Sequence, residues 1–176
     1  MIYEDTRQQA GKHGHIEEWM RARGVEFSPR ARALPFGDYC SDNGSNVAVD
    51  TKKDVQELVM DVGRDHARFV RECERARAAG YRLVVLVESS GAYNDRTVLG
   101  GWTSEVCRRR KRTRGGGCGP CDPRRDGCSA YRSKPVQGDT LAKILDTMER
   151  RHGVAFEFVD RDRAAARICE LLGVEV

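Results

Sequence analysis

Between Val47 and Leu58 the chain reads VAVDTKKDVQEL, and its character changes in the middle. Val47-Ala48-Val49 has the composition of a short buried strand, while Asp50-Thr51-Lys52 sets an acid and a base two residues apart. On a strand, side chains alternate between faces, so Asp50 and Lys52 emerge together and Thr51 opposite them. Asp38 follows the turn signal Pro35-Phe36-Gly37 and is expected on a neighbouring strand. Two carboxylates and an amine then converge at one sheet edge. Carboxylate oxygens suit a hard cation such as Mg²⁺. A cation there can acidify its water and neutralise charge on a phosphodiester, while the lysine orients or deprotonates that water or stabilises the developing charge. Taken alone, Asp-x-Lys at the end of a strand is usually a solvated ion pair.

The elements that must position these residues follow from periodicity. Strands are expected at Met1 to Glu4, within the extended stretch Val25 to Leu34, at Asp38 to Ser41 paired with Val47 to Lys52 around Asp42-Asn43-Gly44, at Leu83 to Val87 and at Val154 to Val159. Ile16 to Arg23 reads as a helix closed by Gly24. Val55, Leu58, Val59 and Val62 make one helical face, and Arg64 to Ala79 is an arginine-rich helix. Leu141, Ile144, Leu145 and Met148 form another apolar stripe, capped by Asp139-Thr140, and Arg163 to Leu172 closes the chain as a helix. The order predicts an α/β body, a central mixed β-sheet flanked by helices. Residues 1–88 and 140–176 belong to that body, and 89–139 form a Cys-rich basic insertion with its own means of ordering.

In that insertion, Cys107, Cys118, Cys121 and Cys128 lie in one short segment, with Cys118-Gly119-Pro120-Cys121 shaped like a zinc knuckle. Structural Zn²⁺ would order a segment with almost no apolar residues. A disordered loop with reduced thiols and a redox site are the other readings. Cys107 to Cys128 holds eight Lys/Arg against two Asp, so a chain of net charge +4 concentrates +6 there and leaves −2 elsewhere. Arg108, Arg109, Arg110, Lys111, Arg112 and Arg114 would grip the phosphates of a polyanion, DNA above all. Trp102 and Tyr131 border this segment, to stack on an unpaired base or to pack beneath it. Cys40, Cys73 and Cys169 read as small buried apolar residues. His13 and His15 read as solvated, His66 and His152 as surface residues, and Glu88 as a supporting group at the sheet edge rather than a ligand.

With 33% charged residues, a mean hydropathy of −0.63 and no apolar run near the roughly 20 residues a membrane span needs, the chain is expected in solution. MIYEDTRQQ lacks the pattern of a secretory signal, which points to a reducing, intracellular (cytoplasmic) setting for the seven cysteines.

Taken in order, the motifs resemble the XPF family of structure-specific endonucleases, a branch of the PD-(D/E)XK nucleases. Ile2-Tyr3-Glu4-Asp5-Thr6-Arg7-Gln8 is similar to the family's strand into Asp-x-Arg-Glu, Leu34 to Tyr39 to its Leu-x-x-Gly-Asp-Tyr, and Val47 to Lys52 to its strand into Glu-Arg-Lys. Gly63-Arg64, Leu83 to Glu88 and Thr140 to Gly173 continue the likeness, which covers about two-thirds of the chain and skips Ser89 to Asp139. The resemblance implies a restriction-endonuclease-like fold carrying the zinc-binding insertion, and Mg²⁺- or Mn²⁺-dependent cleavage of branched or flapped DNA. It implies Asp5, Asp38 and Asp50 as acidic metal ligands, Lys52 as the catalytic lysine and Arg7 at the scissile phosphate. It also implies a homodimer or a paired subunit through the C-terminal helices. Three positions depart from the family pattern: Asp50 replaces Glu, Thr51 replaces Arg, and Gln56 replaces the Asp four residues after the lysine. Relatives with a decayed site serve as binding partners, so a catalytically silent DNA-binding scaffold is the alternative; a zinc module for protein partners is a third reading. The family's structure preference usually comes from a helix-hairpin-helix module, a job expected here of the zinc lobe.

Overall fold

The computed structural model describes residues 1–8, 11–89, 93, 95–102, 104 and 136–176. Six strands form one mixed sheet: β1 (Ile2–Asp5), β2 (Phe27–Arg32), β3 (Tyr39–Ser41), β4 (Val47–Lys52), β5 (Arg82–Ser89) and β6 (Ala155–Asp160). Their order across the sheet is β2-β1-β3-β4-β5-β6. Strand β3 runs antiparallel to both β1 and β4, whereas β1 with β2, β4 with β5 and β5 with β6 are parallel. The C-terminal ends of β1, β4, β5 and β6 and the start of β3 therefore share one edge of the sheet.

Helices α1 (Gly14–Ala22), α2 (Val55–Val62), α3 (His66–Ala78), α4 (Gly138–His152) and α5 (Ala164–Leu171) cover both faces. Parity along the strands divides the core. Ala48 on β4 and Val85 and Val87 on β5 pack with Val55, Leu58, Phe69, Leu141 and Leu145 from α2, α3 and α4. Val49 and Leu86, one position out of step, pack with Ile16, Met20, Ala165 and Ile168 from α1 and α5. Covered on both sides, β5 is buried from Leu83 to Ser89, which explains its unbroken apolar run.

The structure shifts several sequence expectations. Asp139-Thr140 does not cap α4, which begins at Gly138 after Gln137. The start of the stretch read as an insertion belongs to the body: a 3-10 turn over Arg96–Gly101 brings Leu99 and Trp102 into the core with α4. Trp102 is thus a packing residue. The aliphatic residues expected to offer a dimer surface, Leu141, Leu145, Met148, Ile168 and Leu172, are buried within this chain's own cores. Ile144 is half-buried against the same core. Cys40, Cys73 and Cys169 are buried free thiols, as expected. No helix among the described residues is long and apolar enough to cross a membrane.

Candidate active site

Backbone hydrogen bonds extend the sheet past its formal ends and fix where the site residues emerge. The Asp5 amide donates to Asp38 O at 2.9 Å, and the Asp38 amide donates to Val49 O at 2.7 Å. Asp38 is thereby set between the end of β1 and the end of β4. Gly37 makes this approach possible: its φ is +67°, and a Cβ there would stand 3.0 Å from Val49 O. Asp5, Arg7, Asp38, Asp50 and Lys52 all line one cleft of about 710 Å³, together with Lys12, Arg68, Glu72 and Arg75.

Strand alternation then sorts the chemistry. Asp50 and Lys52 turn toward α2, where the Lys52 ammonium lies 2.7 Å from Asp50 Oδ2 and 2.8 Å from Asp61 Oδ2. Arg68 of α3 closes the network, its Nη2 lying 2.7 Å from Asp61 Oδ1. Asp50, Lys52 and Asp61 are all buried. Burial pushes the Asp50 carboxyl up to about 8 against the pull of Lys52, and Asp38 and Glu72 add to the rise. Burial would lower the Lys52 ammonium, but Asp50, Asp61 and Asp38 outweigh it and hold it above its ordinary value. Lys52 is therefore a fixed positive charge. Of the roles open to it from sequence, charge stabilisation and orientation match this placement directly.

Thr51 faces the other way, yet its amide and hydroxyl both donate to Asp38 Oδ2, at 2.8 and 2.7 Å. Asp5 is held differently. Its Oδ1 accepts from the Arg7 amide and Nε at 2.7 and 2.9 Å, and its Oδ2 accepts from Arg7 Nη2 and from the Leu34 amide. Burial raises the Asp5 carboxyl, but the hydrogen bonds from Arg7 and Leu34 more than offset this, so it lies below its usual range. The three acids share the cleft but have different immediate partners. Among the described residues no three His, Cys, Asp or Glu side chains form a metal-holding group. Asp5 instead anchors Arg7, whose side chain is two-thirds exposed at 66% in the cleft.

The remaining acids still fit a hard cation that keeps most of its water, since Mg²⁺ is commonly bound through one or two carboxylates. Asp38 forms no ion pair among the described residues, and Asp50 Oδ2 is buried against the Lys52 ammonium alone.

Sequence reading missed Asp61, Glu72 and the histidines. Asp61 interrupts the apolar side of α2, and a carboxylate there was the available signal. Glu72 Oε1 accepts the Gly37 amide at 3.0 Å and so supports the turn before Asp38. His13, read as solvated, is 2% exposed, and His15 is half-buried. Both face Glu88, itself 3% exposed: His13 Nδ1 lies 3.5 Å from Oε1 and His15 Nε2 2.8 Å from Oε2. Gln56, in place of the family acid, accepts from Ser104 Oγ at 2.9 Å, while Glu57 takes Lys12 and the Lys53 amide. The cysteines and basic residues from Cys107 to Cys128, and Tyr131, lie outside the described residues.

No family model matches the chain, and no curated protein matches it. Among solved structures it is similar to XPF from Aeropyrum pernix, with a TM-score of 0.56 and 19% identity over 98% of this chain. The match spans 59% of that chain's length. At this identity the likeness is one of fold alone, an XPF-like fold.

Proposed function

We propose that this chain is a divalent-metal-dependent endonuclease that hydrolyses phosphodiester bonds in branched or flapped DNA. The observation that carries the reading is the convergence of Asp38, Asp50 and the buried Lys52 in one cleft of an XPF-like fold. Asp38 and Asp50 would hold Mg²⁺ or Mn²⁺, which supplies an acidified water and neutralises charge at the phosphate. Asp5 takes a modified part: it fixes the Arg7 guanidinium where a scissile phosphate can meet it. Lys52 contributes a charge that needs no reorganisation when the phosphorane-like transition state forms, because Asp50 and Asp61 already hold it. Arg68 and Arg75, also on the cleft wall, extend the phosphate-facing surface along α3.

A catalytically silent DNA-binding scaffold is the second reading, favoured by the engagement of both Asp5 oxygens and by Gln56 standing where an acid is expected. Labelled flap, fork and Holliday-junction DNA incubated with Mg²⁺ or Mn²⁺ separates the two. The endonuclease nicks at least one substrate, and Asp38→Asn abolishes the nick while DNA binding persists, because affinity comes mainly from phosphate contacts elsewhere. Absence of cutting on every substrate with either metal would establish the scaffold.

A further inference from the structure

On the face of the sheet opposite Lys52, a second polar cluster ends on the same site. Thr51 and Glu88 lie on neighbouring parallel strands, Thr51 in register with Leu86, and both point toward α1. His13, immediately before α1, fills the space between them. Its Nε2 lies 3.4 Å from Thr51 Oγ1 and its Nδ1 3.5 Å from Glu88 Oε1. Tyr39 meets the imidazole edge-on, with ring centroids 6.4 Å apart and planes at 86°. His15 and Arg161 approach the outer oxygen of Glu88, at 2.8 and 3.9 Å.

The hydrogen-bond inventory fixes a direction. Thr51 has one hydroxyl proton, and it is given to Asp38 Oδ2 at 2.7 Å. Toward His13 the same oxygen can only accept, so His13 Nε2 carries a proton, and a favourable contact between His13 Nδ1 and Glu88 Oε1 requires a further proton on one of those two atoms. Glu88 Oε1 and His13 Nδ1 are buried, lie 3.5 Å apart and have no hydrogen-bond partner among the described residues. Polar groups are rarely left so poorly matched in an interior without a use. The family pattern has an arginine where this chain has Thr51; the hydroxyl allows the connection that an arginine could not make.

We infer that Glu88, His13 and Thr51 form a positioning chain that sets the Asp38 carboxylate for the cation. It leaves Oδ2 occupied by Thr51 and directs Oδ1 to the cleft. The three are positioning residues, since they act through Asp38, although Thr51 also lines the cleft, and the inference rests on the cation reading of Asp38 given above. Outer partners of metal-binding carboxylates and histidines typically alter metal affinity or activity by about 10- to 100-fold when removed.

The test uses the full chain and Mn²⁺ alone, by isothermal titration calorimetry, alongside long-range ¹H–¹⁵N spectra of the metal-free protein. Thr51→Val and His13→Phe are expected to weaken Mn²⁺ binding about 10-fold or more. Thr51→Ser and His13→Gln keep a donor at the same place and should stay near the wild-type affinity. Circular dichroism checks folding; if His13→Phe does not fold, Thr51→Val and His13→Gln carry the comparison. A wild-type protein that binds Mn²⁺, with Thr51→Val binding it equally well, overturns the positioning chain and leaves the cation reading intact. A wild-type protein that takes up no Mn²⁺ overturns both. Spectra showing His13 with its proton on Nδ1 and Nε2 bare would overturn the chain whatever the metal does.

Discussion

Lys52 is the residue in which stability and chemistry are hardest to separate. Its ammonium is held between two buried acids, so removing it leaves Asp50 and Asp61 facing each other with Arg68 as their remaining cation. Breaking one partner of a buried ion pair costs about 3–5 kcal/mol. Lys52→Ala should therefore abolish cleavage and also lower the urea midpoint, while any molecules that remain folded bind DNA nearly as well as the parent. Cleavage at the parent rate would remove Lys52 from the catalytic set. At this scale the sequence is informative where a period applies: two-residue alternation is enough to place Asp50 with Lys52 and Thr51 apart. It is silent about His13, because a histidine ahead of an amphipathic helix looks the same whether α1 presses it onto the sheet or leaves it in water. At Asp5 it leaves two uses open, since a carboxylate two residues before an arginine can serve a metal or the arginine, and the Leu34 amide that also donates to it leaves no trace in the sequence.

Among the elements, α4 depends on its first residue. Gly138 donates its amide to Trp102 O at 2.8 Å, and a Cβ at that position would lie 1.7 Å from Leu99 O, backbone that cannot swing aside. Gly138→Ala is expected to cost about 3 kcal/mol, the upper range for forcing extra volume into a packed site. It should appear as a lower urea midpoint with an unchanged m-value. No change in midpoint would mean that α4 docks less tightly than its buried Leu141 and Leu145 imply. The elements themselves are legible because their apolar residues keep time: the β5 run, the α2 and α4 stripes and the Asn43-Gly44 turn each correspond to an observed strand, helix or hairpin. Their ends are less so. Asp139-Thr140 has the chemistry of a helix cap, but the close approach of α4 to the turn over Arg96–Gly101 moves the start to Gly138, and tertiary packing of that kind leaves no local signal.

For the whole molecule, charge is divided more sharply than the fold. The described body carries a balanced cleft, with Lys12, Lys52 and Arg68 each set against an acid, while eight basic residues stand between Cys107 and Cys128, outside the described residues. The apolar residues expected to offer a dimer surface on the C-terminal helices are largely used internally, and under the proposed function the DNA would be held by basic groups of this chain. Two groups are available: exposed Arg71 and Arg75 on α3, and Arg108, Arg109, Arg110 and Arg112 in the Cys-rich segment. If Cys107, Cys118, Cys121 and Cys128 bind Zn²⁺, elemental analysis should find about one zinc per chain, as a four-thiolate site requires. Cys118→Ser should lose that metal without unfolding the body, which has two apolar cores among the described residues. Replacing the four lobe arginines with Ala should weaken DNA binding and flatten its salt dependence, the slope in fluorescence anisotropy falling by about one for each phosphate that is no longer neutralised. The same measurement on Arg71→Ala/Arg75→Ala gives the share owed to α3. A zinc-free protein whose slope is unchanged by the lobe substitutions but falls with the α3 pair would place the DNA on the cleft wall beside Asp38 and Lys52, and leave the Cys-rich segment without a part in binding.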